Sequence, residues 1–315
     1  MTASSGQAFE PVQACWVCGG VDLAPVHEPI FELSAYRTQD PPLAAYTGSR
    51  IALRRCGACG FAQPDGLPVL PRYFDRMYDQ RWSEEWIRGE FEGTAKDYIF
   101  QGILETLGRR LPGTRRRLLD VGAHAGRFVS LARAAGWTAE GLELNPQTPA
   151  YAAERTGAPI RQLNVHEVDV TTAAYDAVTV IDVLEHIPDP VRVLVRVAAL
   201  LAPGGWAAVK VPSGPSQLLK ETWRGRLRPR YRPTVADNLV HVSHFSPRAL
   251  RRAMERAGFS DVSIEPGAPE LPATPGLRGA LSRARALALH HAARRLPGGV
   301  NTPIAFNLQA YGRRP

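Results

Sequence analysis

The sequence predicts an α/β fold with an open sheet of mainly parallel strands, and three observations support that prediction. From residue 118 onward, short apolar runs alternate with longer segments of helical spacing. The first apolar run, 118–121, leads directly into a glycine turn and then into the start of a helix. The next run ends on an acid, Glu143, about 20 residues after that turn, which is where a carboxylate can bind a nucleoside ribose.

Seven strands follow from this pattern. They are expected at 118–121, 139–144, 160–163, 177–181, 206–211, 262–264 and 304–311. The intervening helices should end near Gly136, Gly157 and Gly204, because glycine readily adopts the left-handed conformation that closes a helix. Asp189 before Pro190 and Ser246 before Pro247 predict two helix starts, where the first residue caps free N–H groups and proline fits the first turn.

The glycine turn lies in the sequence LLDVGAHAGRF at 118–128. Gly122 and Gly126 would let the backbone approach a ligand closely, and Glu143 could accept both ribose hydroxyls. His124 stands where a dinucleotide fingerprint has its middle glycine, so the turn favours S-adenosylmethionine over NAD. An ordinary strand-turn-helix with incidental glycines is the alternative interpretation.

Two later sequences, YDAVTVIDVLEHI at 175–187 and LLAPGGW at 200–206, accompany that turn in order. With them, the chain resembles the class I S-adenosylmethionine-dependent methyltransferases. The resemblance implies a Rossmann-like seven-stranded sheet within residues 112–315 and a set of cofactor contacts. Asp120, Gly122 and Gly126 would shape the methionine side, Glu143 would bind the ribose, Asn164 and Val165 would lie beside adenine, and Asp182 would border the methyl-transfer site.

All four cysteines lie near the beginning of the chain, as two CxxC pairs that are each followed by glycine. Cys15, Cys18, Cys56 and Cys59 offer four thiolates for a tetrahedral zinc ion, and four protein ligands leave no open position for catalysis. We therefore expect a structural zinc knuckle domain over residues 1–70, with free thiols or a redox pair as the alternatives.

Residues 71–111 are predicted to form an aromatic-rich connector followed by a helix over 84–111. A cysteine knuckle, an aromatic connector and a class I core in this order resemble bacterial sugar C-methyltransferases. That resemblance implies a sugar or nucleotide-sugar acceptor. Residues 214–238, rich in arginine, follow the fifth strand and are expected to form a substrate lid or a mobile loop. Residues 277–296 should form a basic helix that packs on the core or lies on a membrane surface.

The acceptor must lose a proton, which requires a base. His241 and His244 are the leading candidates, because they follow the lid and precede the helix that Ser246 opens, and His186 is a third. Each could instead be a hydrogen-bonded scaffold residue. The sugar C-methyltransferases have a glutamate and a tyrosine where this chain has Val240 and Asn238, which weakens the case for carbon methylation. Glu185 could instead cap or orient the following helix.

The formal net charge is +8, and only three residues, Lys96, Lys210 and Lys220, are lysines. Arginine suits bidentate contact with phosphate or carboxylate, which fits an anionic small molecule or RNA, although a solvated basic surface explains the charge equally well. The sequence contains no signal pattern and no run of about 18 apolar residues, so we expect a cytoplasmic enzyme. Two alternatives remain open at this point, an RNA methyltransferase and a noncatalytic cofactor-binding scaffold.

Overall fold

A computed structural model describes residues 8–79, 83–113, 116–171, 174–227 and 239–315. Besides a 3₁₀ turn at Ser34–Tyr36, its N-terminal part contains five short strands and one turn of α-helix. These are β1 (Phe9–Pro11), β2 (Leu23–His27), α1 (Pro41–Ala44), β3 (Leu53–Cys56), β4 (Ala62–Pro64) and β5 (Gly66–Pro68). The strands form an antiparallel sheet β2-β3-β4 and an antiparallel pair β1-β5. A buried aromatic cluster that includes Phe31, Tyr46 and Tyr73 gives this part a small core of its own.

Three helices connect this part to the large sheet: α2 (Tyr73–Asp79), α3 (Glu84–Glu92) and α4 (Asp97–Arg110). The prediction of a single helix over 84–111 is wrong, because the helical conformation is interrupted between α3 and α4. Gly93 is extended there, with a ψ of 134°, and its N–H donates to the carbonyl of Gly89. The new helix begins where the Asp97 carboxylate accepts a hydrogen bond from Arg127 Nε at 2.9 Å.

The large sheet has seven strands, and all seven were predicted. They are β6 (Arg117–Val121), β7 (Thr138–Glu143), β8 (Ile160–Gln162), β9 (Tyr175–Ile181), β10 (Leu201–Pro212), β11 (Ser260–Pro266) and β12 (Asn307–Arg313). Their order is β11-β12-β10-β9-β6-β7-β8, and β12 runs antiparallel to both of its neighbours. The carboxyl ends of β6, β7 and β9 therefore meet at one edge, where open α/β sheets bind ligands.

Six helices accompany the sheet. They are α5 (Arg127–Ala134), α6 (Thr148–Thr156), α7 (Pro190–Leu200), α8 (Gly214–Leu227), α9 (Pro247–Arg256) and α10 (Gly276–Arg295). Gly136 and Gly157 follow α5 and α6 in the left-handed conformation, as predicted. The predicted end near Gly204 is wrong, because α7 stops at Leu200 and the chain continues as β10 with an irregularity between Leu201 and Trp206.

Both predicted helix starts are present, but they differ in their caps. Ser246 Oγ accepts the N–H of Ala249 at 3.0 Å, whereas Asp189 has a left-handed backbone and makes no side-chain cap. The predicted basic helix is α10. It packs through its C-terminal half, where His290 and Ala293 are buried, while Leu277 and Leu281 remain 76% and 61% exposed. Among the helices that the structure describes, none is long and apolar enough to cross a membrane.

Candidate active site

The glycine turn between β6 and α5 is held tightly against its neighbours. Gly122 and Gly126 have φ angles of +84° and +87°, which disfavour any side chain. A Cβ atom at Gly122 would lie 2.4 Å from Val183, and one at Gly126 would lie 2.8 Å from Thr156. The two glycines therefore let the turn pack directly on the segment after β9 and on α6.

Glu143 ties the end of β7 to this turn. One carboxylate oxygen accepts the N–H of His124 at 2.7 Å, and the other accepts the N–H of Asn145 at 2.9 Å. A carboxylate has about four acceptor positions, so these two bonds fix the group and leave acceptor capacity for ligand hydroxyls. His124, which departs from the dinucleotide pattern, adopts a left-handed backbone at φ 51° and places its ring 4.9 Å from that of Trp86.

Asp120 is the next-to-last residue of β6, two positions before Gly122, and is buried. Thr179 Oγ1 donates a hydrogen bond to it at 2.6 Å. Burial raises the pKa of the Asp120 carboxyl to about 7, although the hydrogen bond from Thr179 opposes the shift. Beyond β8, the Asn164 side chain accepts the N–H of His166 at 3.0 Å and so caps a short helical turn that begins with the buried Val165.

Asp182 follows β9 and has a left-handed backbone at φ 55°. Lys210 Nζ, buried within β10, donates to one carboxylate oxygen, and Lys96 Nζ lies 3.6 Å from the other. Burial alone would raise the pKa of Asp182, but the two lysines hold it below its ordinary value. Two of the three lysines in the chain thus converge on one carboxylate.

His186 and His241 lie close together, with ring centroids 4.8 Å apart, and the charge of Asp182 acts on His186. His186 Nδ1 donates to the carbonyl of Val240 at 2.6 Å, and His241 Nδ1 lies 3.0 Å from the side-chain nitrogen of Gln217 on α8. Burial lowers the pKa of both imidazoles, so both rings are neutral at pH 7.

The backbone holds the two histidine segments together. The carbonyl of Glu185 accepts the N–H groups of Val242 and Ser243, at 2.7 and 2.9 Å. His244, the other predicted base, faces a different environment. It exchanges two backbone hydrogen bonds with Ala62, and its ring nitrogens are buried with no hydrogen-bond partner among the described residues. Burial lowers its pKa to about 4.

The four cysteines come together as the spacing predicts. The Sγ atoms of Cys15 and Cys59 are 3.6 Å apart, those of Cys18 and Cys56 are 3.5 Å apart, and all four lie within 4.8 Å of one another. A tetrahedron with Zn–S bonds of about 2.3 Å has edges of roughly 3.8 Å, so the thiol arrangement fits a zinc ion.

Sequence reasoning missed several residues of the site. Lys96, Lys210 and Gln217 contact the predicted residues, but each comes from a distant part of the chain. A lysine within the apolar run 206–211 was the one available signal, because a charged side chain in a buried strand needs a partner. The predicted lid, 214–238, contributes Gln217 through α8, while its remainder, including Asn238, lies outside the described residues.

Comparison with known proteins identifies the family. Residues 91–264 match the methyltransferase domain family. A ubiquinone biosynthesis O-methyltransferase of Bordetella bronchiseptica is 31% identical over 179 residues, which cover 52% of this chain and 71% of that protein. A protein of the same name from Paracidovorax citrulli is 35% identical over 98 residues, covering 29% and 41% of the two chains.

The similarity covers only part of each protein. The chain spans 41%, 46% and 47% of three curated relatives that it matches, or slightly less than half. The phosphoethanolamine N-methyltransferase 2 of Haemonchus contortus, solved with S-adenosyl-L-methionine, shares the fold at a TM-score of 0.50 and 17% identity, covering 80% of this chain and 62% of that one. The chain belongs to the methyltransferase domain family, whose model matches residues 91–264.

Proposed function

We propose that the protein transfers a methyl group from S-adenosylmethionine to a hydroxyl oxygen of a small molecule. The observation that carries the proposal is the buried His186–His241 pair, whose ring centroids are 4.8 Å apart, since His186 closely follows Val183, which packs against the glycine turn. The pair would supply a proton acceptor beside the proposed cofactor position. The O-methyltransferase names of the relatives support oxygen as the acceptor atom.

The proposed cofactor contacts use the residues that the family resemblance implies. We propose that Gly122 and Gly126 admit the methionine side and that Glu143 accepts the ribose hydroxyls. Asn164 and Val165 would flank adenine, and Asp120 would support the turn from beneath. Asp182, whose charge Lys210 and Lys96 balance, would border the sulfonium. Positioning and alignment for in-line displacement then supply much of the rate.

The histidines favour an acidic hydroxyl. Because burial lowers the pKa of His186 and His241, they are weak bases, and an aromatic hydroxyl with a pKa near 10 loses its proton to them more readily than a sugar hydroxyl does. We therefore propose an aromatic hydroxyl rather than the nucleotide-sugar that the N-terminal knuckle suggested. His244 is assigned a structural position, since it is enclosed against Ala62.

The acceptor can be tested by offering the full chain methyl-labelled S-adenosylmethionine with catechol, a nucleotide-sugar or a short RNA. We expect label on catechol. We also expect His241→Gln to lower kcat about 10²-fold or more while S-adenosylhomocysteine still binds, because a general base acts in the transition state. His291→Gln, on the exposed side of α10, is the matched control. Label on the sugar or the RNA alone would refute the aromatic hydroxyl assignment.

We propose that Cys15, Cys18, Cys56 and Cys59 hold a structural zinc ion. Four thiolates saturate a tetrahedral ion, so this ion would order the knuckle rather than bind substrate. The thiol spacing supports this assignment.

A further inference from the structure

A second group of metal-ligating side chains lies at the acceptor end of the site, separate from the cysteines. Glu185 and His186 come from the short helical turn Leu184–His186, and His241 comes from the loop before α9. One ligand atom from each of the three lies within 4.8 Å of the other two. Two imidazoles and one carboxylate form a donor set that suits divalent transition metals such as Zn²⁺, Co²⁺ and Fe²⁺.

The hydrogen bonds around the two imidazoles match those around metal-ligating histidines. The carbonyl of Val240 can only accept, so His186 Nδ1 must carry the proton, and in the neutral ring Nε2 then holds the lone pair. At His241, the Gln217 amide lies beside Nδ1, with its oxygen at 3.4 Å and its nitrogen at 3.0 Å, and can serve either tautomer. Such outer contacts fix the ring orientation of metal ligands.

The Glu185 carboxyl supplies the strongest argument. Glu185 is only 2% exposed, and its Oε2 has no hydrogen-bond partner among the residues that the structure describes. Within that same part of the chain, no ion pair gives Glu185 a cation, because Lys210 and Lys96 both pair with Asp182. A buried carboxylate oxygen without a hydrogen-bond partner is costly, and a bound cation would remove that cost.

We propose that Glu185, His186 and His241 bind a divalent transition-metal ion that takes the acceptor hydroxyl as a further ligand. Three protein ligands leave an open position, as in catalytic rather than structural sites. Drawing the ligand atoms from at most 4.8 Å to roughly 3.4 Å apart would complete the coordination with bonds of about 2.1 Å.

The ion would lower the pKa of the hydroxyl bound to it, and the two imidazoles would then act as metal ligands rather than as bases. The hydroxyl proton leaves to water, the acceptor oxygen forms a bond to the methyl carbon, and the carbon–sulfur bond breaks with its electron pair remaining on sulfur. This catalytic use rests on the proposed methyl transfer to oxygen, whereas metal binding itself does not.

The test is equilibrium dialysis of the zinc-loaded full chain against Co²⁺, followed by metal analysis and absorption spectroscopy. Cobalt bound by thiolates shows sulfur-to-metal charge transfer, whereas cobalt bound by imidazole and carboxylate lacks it. We expect wild type and His291→Ala to bind one additional Co²⁺ without that charge transfer. His241→Ala and Glu185→Gln should lose this ion, and Gln217→Leu should bind it about 10-fold more weakly, as expected for an outer contact.

Near-UV circular dichroism of each variant identifies any that fails to fold, and the Gln217→Leu effect then decides the question, since Gln217 is not itself a ligand. Equal Co²⁺ binding in wild type, Gln217→Leu and the ligand variants would overturn the proposal, as would cobalt bound only with thiolate charge transfer. Methyl transfer that continues in such a metal-free site would leave the proposed function intact and assign deprotonation to the imidazoles alone.

Discussion

At the scale of single residues, Asp120 is a buried carboxyl group whose pKa differs between the folded and unfolded protein. Its carboxyl is fully enclosed beneath the glycine turn, with one hydrogen bond from Thr179 and the charge of Glu143 nearby. Burial, and to a smaller degree Glu143, raises its pKa to about 7. The folded protein therefore binds a proton here that the unfolded chain releases near pH 4.

This difference predicts a pH-dependent loss of stability. Between about pH 4 and 7 the folded state binds more protons at Asp120 than the unfolded state, so its contribution to stability falls as pH rises. Asp120→Asn retains the Thr179 hydrogen bond but not the titration. Urea unfolding at pH 5 and pH 8 should show the stability of wild type falling by about 2 to 3 kcal/mol relative to the variant. A constant difference across that range would exclude a raised pKa.

At the scale of elements, the knuckle is joined directly to the segment that carries His241. Ala62 and His244 exchange backbone hydrogen bonds of 3.0 and 2.9 Å. Ser246, which caps α9, donates to the carbonyl of Cys59 at 2.8 Å. The rings of Phe61 and Phe245 are 5.0 Å apart. Residues 244–246 therefore connect the cysteine turn to the loop that carries His241, so a change in the turn should shift that loop.

Disrupting the knuckle should consequently lower the rate of methyl transfer more than it weakens cofactor binding. We expect Cys56→Ser to lose zinc, destabilise the N-terminal part and lower kcat, while S-adenosylhomocysteine affinity changes little because Glu143 lies on the opposite side of β6 from β9. Ala58→Ser, an exposed non-ligand in the same turn, is the control. Metal analysis with calorimetry measures both effects, and unchanged zinc content would refute the four-cysteine site.

The elements also show what the sequence could and could not predict. All seven strands of the large sheet were found, since their apolar runs are local signals. The break at Gly93 was missed, because the helical spacing of apolar residues continues across it. The exposure of Leu277 and Leu281 was missed for a related reason: spacing predicts a helix, but the surface that it packs against is set by the whole fold.

At the scale of the whole molecule, the cysteine turns of the knuckle pack into a core of the methyltransferase sheet, apart from the knuckle's aromatic cluster. Cys15, Val17 and Phe61 belong to the same buried cluster as Leu250 on α9 and Leu308 on β12. Arg256 extends from the end of α9 to the carbonyl of Val17. The motifs in the sequence identified the knuckle and the sheet separately. Their packing against each other depends on contacts between residues that are far apart in the sequence, such as Val17 and Arg256.

The same scale explains why the candidate site was predicted in outline only. The sheet order brings Gly122, Glu143 and Asp182 to one edge, as parallel strands require, so those positions follow from sequence. The site is completed by three side chains from other parts of the chain, Lys96, Lys210 and Gln217. The spacing of residues in the sequence does not predict which residues these side chains contact.

The central claim is that the edge formed by β6, β7 and β9 holds the methyl donor with Glu143 on its ribose. The most direct measurement is calorimetric titration with S-adenosylhomocysteine of wild type, Glu143→Gln and Glu140→Gln, with NAD as the control ligand. Glu140 lies on the same strand but pairs with Arg117 and Arg161 instead.

We predict that wild type and Glu140→Gln bind the nucleoside but not NAD. Glu143→Gln should bind it roughly 10- to 100-fold more weakly, because a charged acceptor for the ribose is lost. Equal affinity in Glu143→Gln and wild type, or preferential binding of NAD, would contradict the account.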